Sequence, residues 1–164
     1  MIIVSDTTPI SELAKVELLD LLPQIFGKVV IPQGVFDELQ TGQHPAASLV
    51  QNLAWLEVVT VNNQQGVEEL QKSFNLDLGE SEAIVLAEEI GASQLLIDEK
   101  AARKVAIARK LPLIGTVGIL VLAKRRGLLG SVKDVLNQMQ VKGTRISERL
   151  YGQVLTLAGE MEGE

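Results

Sequence analysis

Four acidic residues, far apart in the 164-residue chain, stand where acids do chemistry: Asp6 after "IIVS", Glu38 in "VFDEL", Glu80 in "GESEA" and Asp98 closing "QLLID". Continuous apolar runs such as Met1 to Val4 suit central strands of a parallel sheet, buried on both faces. In such a sheet, ligands bind beyond the carboxyl ends of the strands, where the strand order reverses. Asp6 and Asp98 close two such runs, Glu80 opens a helix, and Glu38 lies in a helix that begins just after the strand "KVVIP". Four carboxylates can therefore converge at one edge. Two unit charges about 4 Å apart repel by roughly 4 kcal/mol at an effective dielectric near 20, so ionised acids gathered there must shift their pKa values or separate. A divalent cation reverses that sign. Mg2+ takes oxygen ligands and keeps several waters, and Mn2+ replaces it in similar sites. Such an ion lowers the pKa of a bound water and neutralises charge developing on a phosphodiester. Asp6 is on this reading a metal ligand. An Asp after a strand is equally a helix N-cap, and "DTTP" suits one. For Glu80 the ordinary role is compensation of a helix dipole. The joint placement of several acids favours the metal.

The elements that must position these acids follow from the apolar pattern. Strand-like runs recur at "IIVS", "KVVIP", "LEVVTV", "QLLID" and "LPLIG", with helical patterns between them. "TPISELAKVELLDLL" reads as one helix started at Thr8 and Pro9. "QGVFDELQTG" reads as a short helix ending at Gly42, and "QGVEELQKSF" as another. "GESEAIVLAEEIGA" is stopped by Gly91, and "EKAARKVAIARKL" and "VGILVLAKRRGLL" each follow a strand. Strands alternating with helices predict parallel crossover units and a layered α/β domain of about five strands. The length predicts one domain over 1–164. Two further helices, at 131–160 and split at Lys142–Gly143, are expected to pack on it.

Composition narrows the chemistry. No cysteine is present, which excludes disulfides, thiolate zinc sites and cysteine nucleophiles. The single histidine, His44 in "TGQHPAA", reads as a solvated loop residue and rules out histidine-rich metal sites. Any metal is held mainly by oxygen. The net charge of −6 hides an asymmetry: residues 1–99 carry 16 acids against 3 bases, whereas 100–149 carry 12 bases against 2 acids. A basic third beside an acidic centre can track phosphates. With 46% hydrophobic residues but no run near the roughly 18 apolar residues of a membrane span, and no signal-peptide layout, a cytoplasmic protein without membrane contact is expected.

"IIVSDTTPIS", "VVIPQGVFDELQ", "DLGESEAIVLAEEIGASQLLIDEKAARKVA" and "PLIGTVGILVLAKRRGLL", in this order, resemble a PIN domain. That nuclease family includes the VapC toxins of prokaryotic toxin–antitoxin pairs. The similarity covers nearly the whole chain, tail included. It implies a three-layer α/β/α fold with a central parallel sheet and an acidic quartet that binds Mg2+ or Mn2+ for RNA cleavage. The first acid of that quartet matches Asp6, the second Glu38, the third Glu80 and the fourth Asp98, with Asp6, Glu80 and Asp98 as the metal ligands. Asp37 adjoins Glu38, but Val35, Phe36 and Leu39 should pack inward and the family pattern favours the residue before Leu39. Glu82 competes with Glu80; residues two apart diverge by about 200° on a helix, so the two do not meet one ion together. Glu99 follows Asp98 and points to the opposite side if the strand continues. The third acid is often aspartate in PIN domains, whereas both candidates here are glutamate.

The resemblance gives Thr7 or Thr8 a supporting hydrogen-bonding role and Thr116 a similar place at the pocket edge. Thr8 also suits a cap. Lys100, Arg103 and Lys104 begin a helix near the acidic edge and are candidates for RNA phosphates, while Lys124, Arg125 and Arg126 complement a helix C-terminus. With 3% aromatic residues, recognition of RNA would depend on shape, phosphates and a few polar contacts. An aspartyl-phosphate phosphotransferase would require an acid at position 8, where this chain has Thr8, and a receiver domain would require an Asp that "LEVVTVNN" lacks. The expected activity is a metal-dependent endoribonuclease, as the toxin of a type II toxin–antitoxin pair, with a non-catalytic RNA- or protein-binding PIN-like module as the alternative. Expected partners are RNA, an antitoxin protein and, from the apolar content of "VGILVLA" and the tail, a second copy of the chain, although that apolar content also fits plain core packing.

Overall fold

The computed structural model of the protein describes residues 1–41, 46–47 and 49–161. His44 and the helix stop expected at Gly42 lie outside the described residues. The apolar runs become five strands: β1 (Ile3–Ser5), β2 (Val29–Pro32), β3 (Leu56–Val59), β4 (Gln94–Leu96) and β5 (Leu113–Ile114). They form one parallel sheet in the order β3-β2-β1-β4-β5. The chain runs outward from β1 through β2 and β3, then returns to build β4 and β5 on the other side. The order thus reverses between β1 and β4, and the crevice at such a point is where open α/β sheets bind ligands.

Strand side chains alternate between two cores. Ile3, Val29, Ile31 and Leu96 enter one apolar cluster, and Val4, Val30, Leu95 and Ile97 enter the other. This is the period-two consequence of the pleat, and it requires a helical layer on each face. One layer holds α1 (Thr7–Lys15), α2 (Leu21–Phe26), α3 (Gln33–Gln40) and α7 (Thr116–Arg125), joined by α8 (Val132–Val141) and α9 (Glu148–Leu157). The other holds α4 (Gln64–Phe74), α5 (Leu78–Ile90) and α6 (Lys100–Ala108). The fold is a three-layer α/β/α sandwich. Val132, Leu136, Met139, Val154 and Leu155 bury the two C-terminal helices in the same core as α1 and α7.

Three expectations need correction. The helix read through "TPISELAKVELLDLL" is two helices: α1 ends at Lys15, and the chain turns before α2 starts at Leu21. Glu17 takes a left-handed conformation (φ 60°), and the Leu18 and Glu17 amides donate to the Leu13 and Ala14 carbonyls at 2.8 and 3.1 Å. That paired closure usually places glycine at the left-handed position, so its occurrence on Glu17 leaves no sequence mark. β4 ends at Leu96, so Asp98 and Glu99 lie beyond the strand and its alternation no longer sets Glu99's side. In "VGILVLA", Ile119, Leu120, Val121 and Ala123 are buried in the chain's own core, which removes this segment as an argument for a dimer. Among the described residues, no helix is long and apolar enough to cross a membrane.

Candidate active site

β1 delivers Asp6 to the crevice: its amide donates to the Leu96 carbonyl at 2.9 Å, extending the pairing of β1 with β4 by one residue. Asp6 occupies the N-cap position of α1 in extended backbone (φ −80°, ψ 178°), yet its side chain makes no capping hydrogen bond. Asp6 is only 4% exposed, and its carboxyl lies against Gly79, at the N-terminus of α5. Burial pushes its pKa up to about 8, the Thr7 amide pulls it down, and the negative charges of Asp77, Glu80 and Glu38 push it up again. The charges that act on Asp6 are therefore acids. Next to it the Thr7 hydroxyl is buried with no hydrogen-bond partner, as is the Ser81 hydroxyl on α5.

The neighbouring acids separate into members of this group and acids held elsewhere. Glu80 opens α5 in a reciprocal capping box: its amide donates to Asp77 Oδ1 at 2.7 Å, and Asp77's amide donates to Glu80 Oε1 at 3.0 Å. Its pKa is raised by burial first, lowered by the Asp77 amide, and raised by the charges of Asp77, Glu99 and Glu38. Glu38 thus acts on both Asp6 and Glu80. Asp37, one residue earlier, is exposed and accepts from the Gln33 side chain at 2.9 Å along the same helix. Glu82 is buried but engaged: its Oε1 accepts from the Gly34 amide at 2.7 Å, satisfying an orphan donor at the start of α3. A side chain at position 34 would collide with that carboxylate. Glu99 is exposed, makes no cap bond for α6, and adds its charge to Glu80.

Asp98, across the switch point, stands in a different environment. Its Oδ1 accepts from the Thr116 amide at 2.7 Å and its Oδ2 from the Thr116 hydroxyl at 2.5 Å. Arg103 donates to the Ile97 carbonyl at 2.8 Å and places its positive charge beside Asp98. Burial raises the Asp98 pKa, Thr116's two hydrogen bonds and Arg103 lower it, and Glu12 on α1 raises it slightly. Gly115 makes this approach feasible: a Cβ there would fall 2.7 Å from Asp98 Oδ1 and 3.0 Å from Arg103 Nη1. Asp98, Thr116, Arg103 and exposed Thr8 line a cavity of about 470 Å3 that continues under the α8–α9 connection.

The structure thus brings Asp6, Glu38, Glu80 and Glu99 into one electrostatic group and sets Asp98 with Thr116 beside it. Of the expected basic residues, Arg103 reaches this edge, whereas Lys104 lines a separate groove with Phe74 and Arg109. Lys124 is paired with Glu160 at 3.2 Å, and Arg125 and Arg126 donate to the Leu157 and Ile25 carbonyls, so all three fasten neighbouring segments. Sequence reading missed Asp77, although the Asp-x-x-Glu spacing in "DLGE" before an apolar run signals a capping box. It also missed Glu12, whose link to the cavity depends on distant parts of the chain and left no local signal.

Carboxyl oxygens with an unpartnered hydroxyl at Thr7 match the donors that a hard, oxygen-seeking cation takes. Among the described residues, no three acidic or histidine side chains stand close enough as arranged to hold a metal ion. The donor types fit; a complete cage is not preformed. A family model described as a PIN domain matches residues 2–160 of the chain. No curated protein matches it.

Proposed function

The chain belongs to the PIN-domain family, whose members are generally nucleases that use divalent metals, and from that premise we propose that it is a metal-dependent endoribonuclease hydrolysing RNA phosphodiester bonds. The observation that carries this reading is Asp6: a buried carboxyl at the switch point, held near pKa 8 and faced by Glu38, Glu80 and Asp77 rather than by a base. Such an arrangement costs folding energy unless a cation joins it. Asp6, Glu80 and Asp98 are the side chains that would hold Mg2+ or Mn2+, which when bound would supply charge neutralisation and a more acidic water.

The chain's own residues do the remaining work. Glu38 and Glu99 keep the local potential negative, so the edge attracts cations ahead of RNA. Thr116 fixes the Asp98 carboxylate by two hydrogen bonds and thereby sets the direction in which its remaining lone pairs point. The Asp77–Glu80 box fixes the first turn of α5, which forms one wall against Asp6. A biological role as the toxin of a type II pair, with a small antitoxin covering this edge, is the finer form of the same proposal; its support is the resemblance to VapC toxins.

A mixed pool of single-stranded and structured RNAs, incubated with the protein and Mg2+, Mn2+ or EDTA beside Asp6→Asn, tests the proposal. Cleavage that needs the metal and vanishes in the variant is the expected result. One observation favours the second reading, a non-catalytic RNA- or protein-binding module: both Asp98 oxygens already accept hydrogen bonds from Thr116. A folded protein that binds RNA but cuts none of the pool in any metal would decide for that reading.

A further inference from the structure

The α8–α9 connection is unusually well fastened for a surface loop. Thr144's hydroxyl donates to Glu12 Oε1 at 2.5 Å and accepts from Lys15 Nζ at 2.8 Å, and its amide donates to the Met139 carbonyl at 2.9 Å. Lys142 Nζ reaches the Lys15 carbonyl at 2.8 Å, and Lys15 pairs with Glu12 at 2.6 Å. The Gln140 side chain donates to the Ile146 carbonyl at 3.3 Å. Between these anchors sits Arg145, exposed and, among the described residues, without a hydrogen bond or ion pair.

Arg145 lines the cavity of about 470 Å3 that also exposes Asp98 and Thr116, and Val117, Met139, Ile146 and Leu150 give that cavity apolar walls. The other arginine lining it, Arg103, is drawn to the Ile97 carbonyl and the Asp98 carboxylate. Arg145 is therefore the cation left to meet an incoming group. An apolar concavity with a cation at its mouth, continuous with a polar edge, matches one unstacked nucleotide: a base with an apolar face and a phosphate on its backbone. A duplex offers the phosphate without the base face, since its bases are stacked and its grooves present phosphate and ribose.

We propose that this cavity is a subsite for a single-stranded nucleotide flanking the scissile bond, with Arg145 on the phosphate and Leu150, Ile146 and Val117 against the base. The inference rests on the ribonuclease reading of the adjoining edge and adds to it the side chains that grip the strand on one side of the cut, Arg145 and the apolar walls beneath the α8–α9 connection. Arg145 then governs affinity, and the apolar walls govern which base is accepted. The fastening of Thr144 to Glu12 and Lys15 pre-sets the loop, so ordering it does not weaken binding.

The test separates binding from cleavage. Fluorescein-labelled single-stranded RNAs of about ten nucleotides, in mixed and homopolymeric sequences, are titrated by anisotropy in EDTA against the Asp6→Asn protein, alone and combined with Arg145→Ala, Arg145→Lys or Leu150→Trp. Arg145→Ala is expected to weaken binding about tenfold and to flatten the dependence of log Kd on log salt by about one unit. Arg145→Lys restores the salt slope without restoring the full affinity, because a point charge replaces a planar fork. Leu150→Trp narrows the spread of affinities between homopolymers by filling the base-binding space. Affinity and slope unchanged in Arg145→Ala, with thermal melting confirming the fold, would overturn the subsite. Arg145-dependent binding by a parent protein that cuts no RNA would keep the subsite and remove the ribonuclease reading. Asp6-dependent cutting with binding indifferent to Arg145 would do the reverse.

Discussion

Asp6 and Asp98 lie just beyond the ends of two neighbouring strands, β1 and β4, and their surroundings are opposite. Asp98 has a hydrogen bond on each oxygen from Thr116 and a guanidinium beside it. Asp6 has the Thr7 amide in its favour and three acids against it. Burial raises both pKa values; at Asp6 the Thr7 amide alone opposes that rise, whereas at Asp98 two hydrogen bonds from Thr116 and the Arg103 cation oppose it. The lesson is that a buried carboxyl can be part of the framework or held ready for an outside cation, and its partners decide which. The Asp98 side already has donors and a cation beside it; the Asp6 side is left short of positive charge.

The sharpest way to break this contrast is catalytic. Asp6→Asn should lower metal-dependent RNA cleavage by more than the roughly 100-fold typical of losing a residue that supports a metal ligand, measured as initial rates under saturating Mg2+. Cleavage within a few-fold of the parent would remove Asp6 from the centre of the site.

The second way is thermodynamic. Asp6 ionises at 3.8 in the unfolded chain and near 8 in the fold. Between those values the folded state keeps a proton that the unfolded state has released. Stability from this group is therefore complete below about pH 4 and is lost progressively as the pH rises to about 8. Asp6→Asn should be more stable than the parent at about pH 8.5, with the difference shrinking towards about pH 5, as urea midpoints would show. Asp98→Asn should behave oppositely at neutral pH. It replaces a carboxyl that accepts on both oxygens by an amide that accepts on one, so the Thr116 hydroxyl must turn to accept instead, and a loss of about 1 kcal/mol is expected from the same titration. Equal responses of the two variants would mean that the two carboxyls are alike.

A smaller effect concerns added cation. Mg2+ at about 100 times its Kd should stabilise the parent by about 2.7 kcal/mol, and EDTA should reverse it. The same addition should leave Asp6→Asn nearly unmoved in a thermal melt. Smallest is the division between paired acids. Glu82→Gln weakens a charged bond to the α3 amide and should cost about 1 kcal/mol. Glu80→Gln keeps an acceptor for Asp77's amide and should cost less, while lowering cleavage more than Glu82→Gln does. Reversal of that order in parallel activity and unfolding measurements would exchange the roles of the two glutamates.

Much of this was legible in the sequence, and the gaps have specific causes. Asp6 could be placed because an apolar run ends on it, and Glu38 could be preferred to Asp37 because Val35, Phe36 and Leu39 should pack inward and the PIN-domain pattern favours the residue before Leu39. Asp37 is exposed and accepts a hydrogen bond from the Gln33 side chain, while Val35 and Leu39 are buried. Glu80 and Glu82 could not be separated, because the Gly34 amide that engages Glu82 comes from 48 residues away. The break after α1 was missed because Glu17 adopts the left-handed conformation that glycine normally advertises. Arg145 drew no notice because its neighbours in sequence are ordinary loop residues, and its significance arises only beside Asp98 and Thr116.

The sequence by itself determined the alternation of strands and helices, and with it the delivery of acids to the carboxyl ends of two buried strands. Hydrophobic periodicity is a local property, written residue by residue. Only the tertiary structure decided which acids are compensated and which are not. A carboxyl's state depends on donors, charges and burial within a few ångströms, and here these come from Thr116 for Asp98, from Gly34 for Glu82 and, 132 residues along the chain, from Thr144 for Glu12.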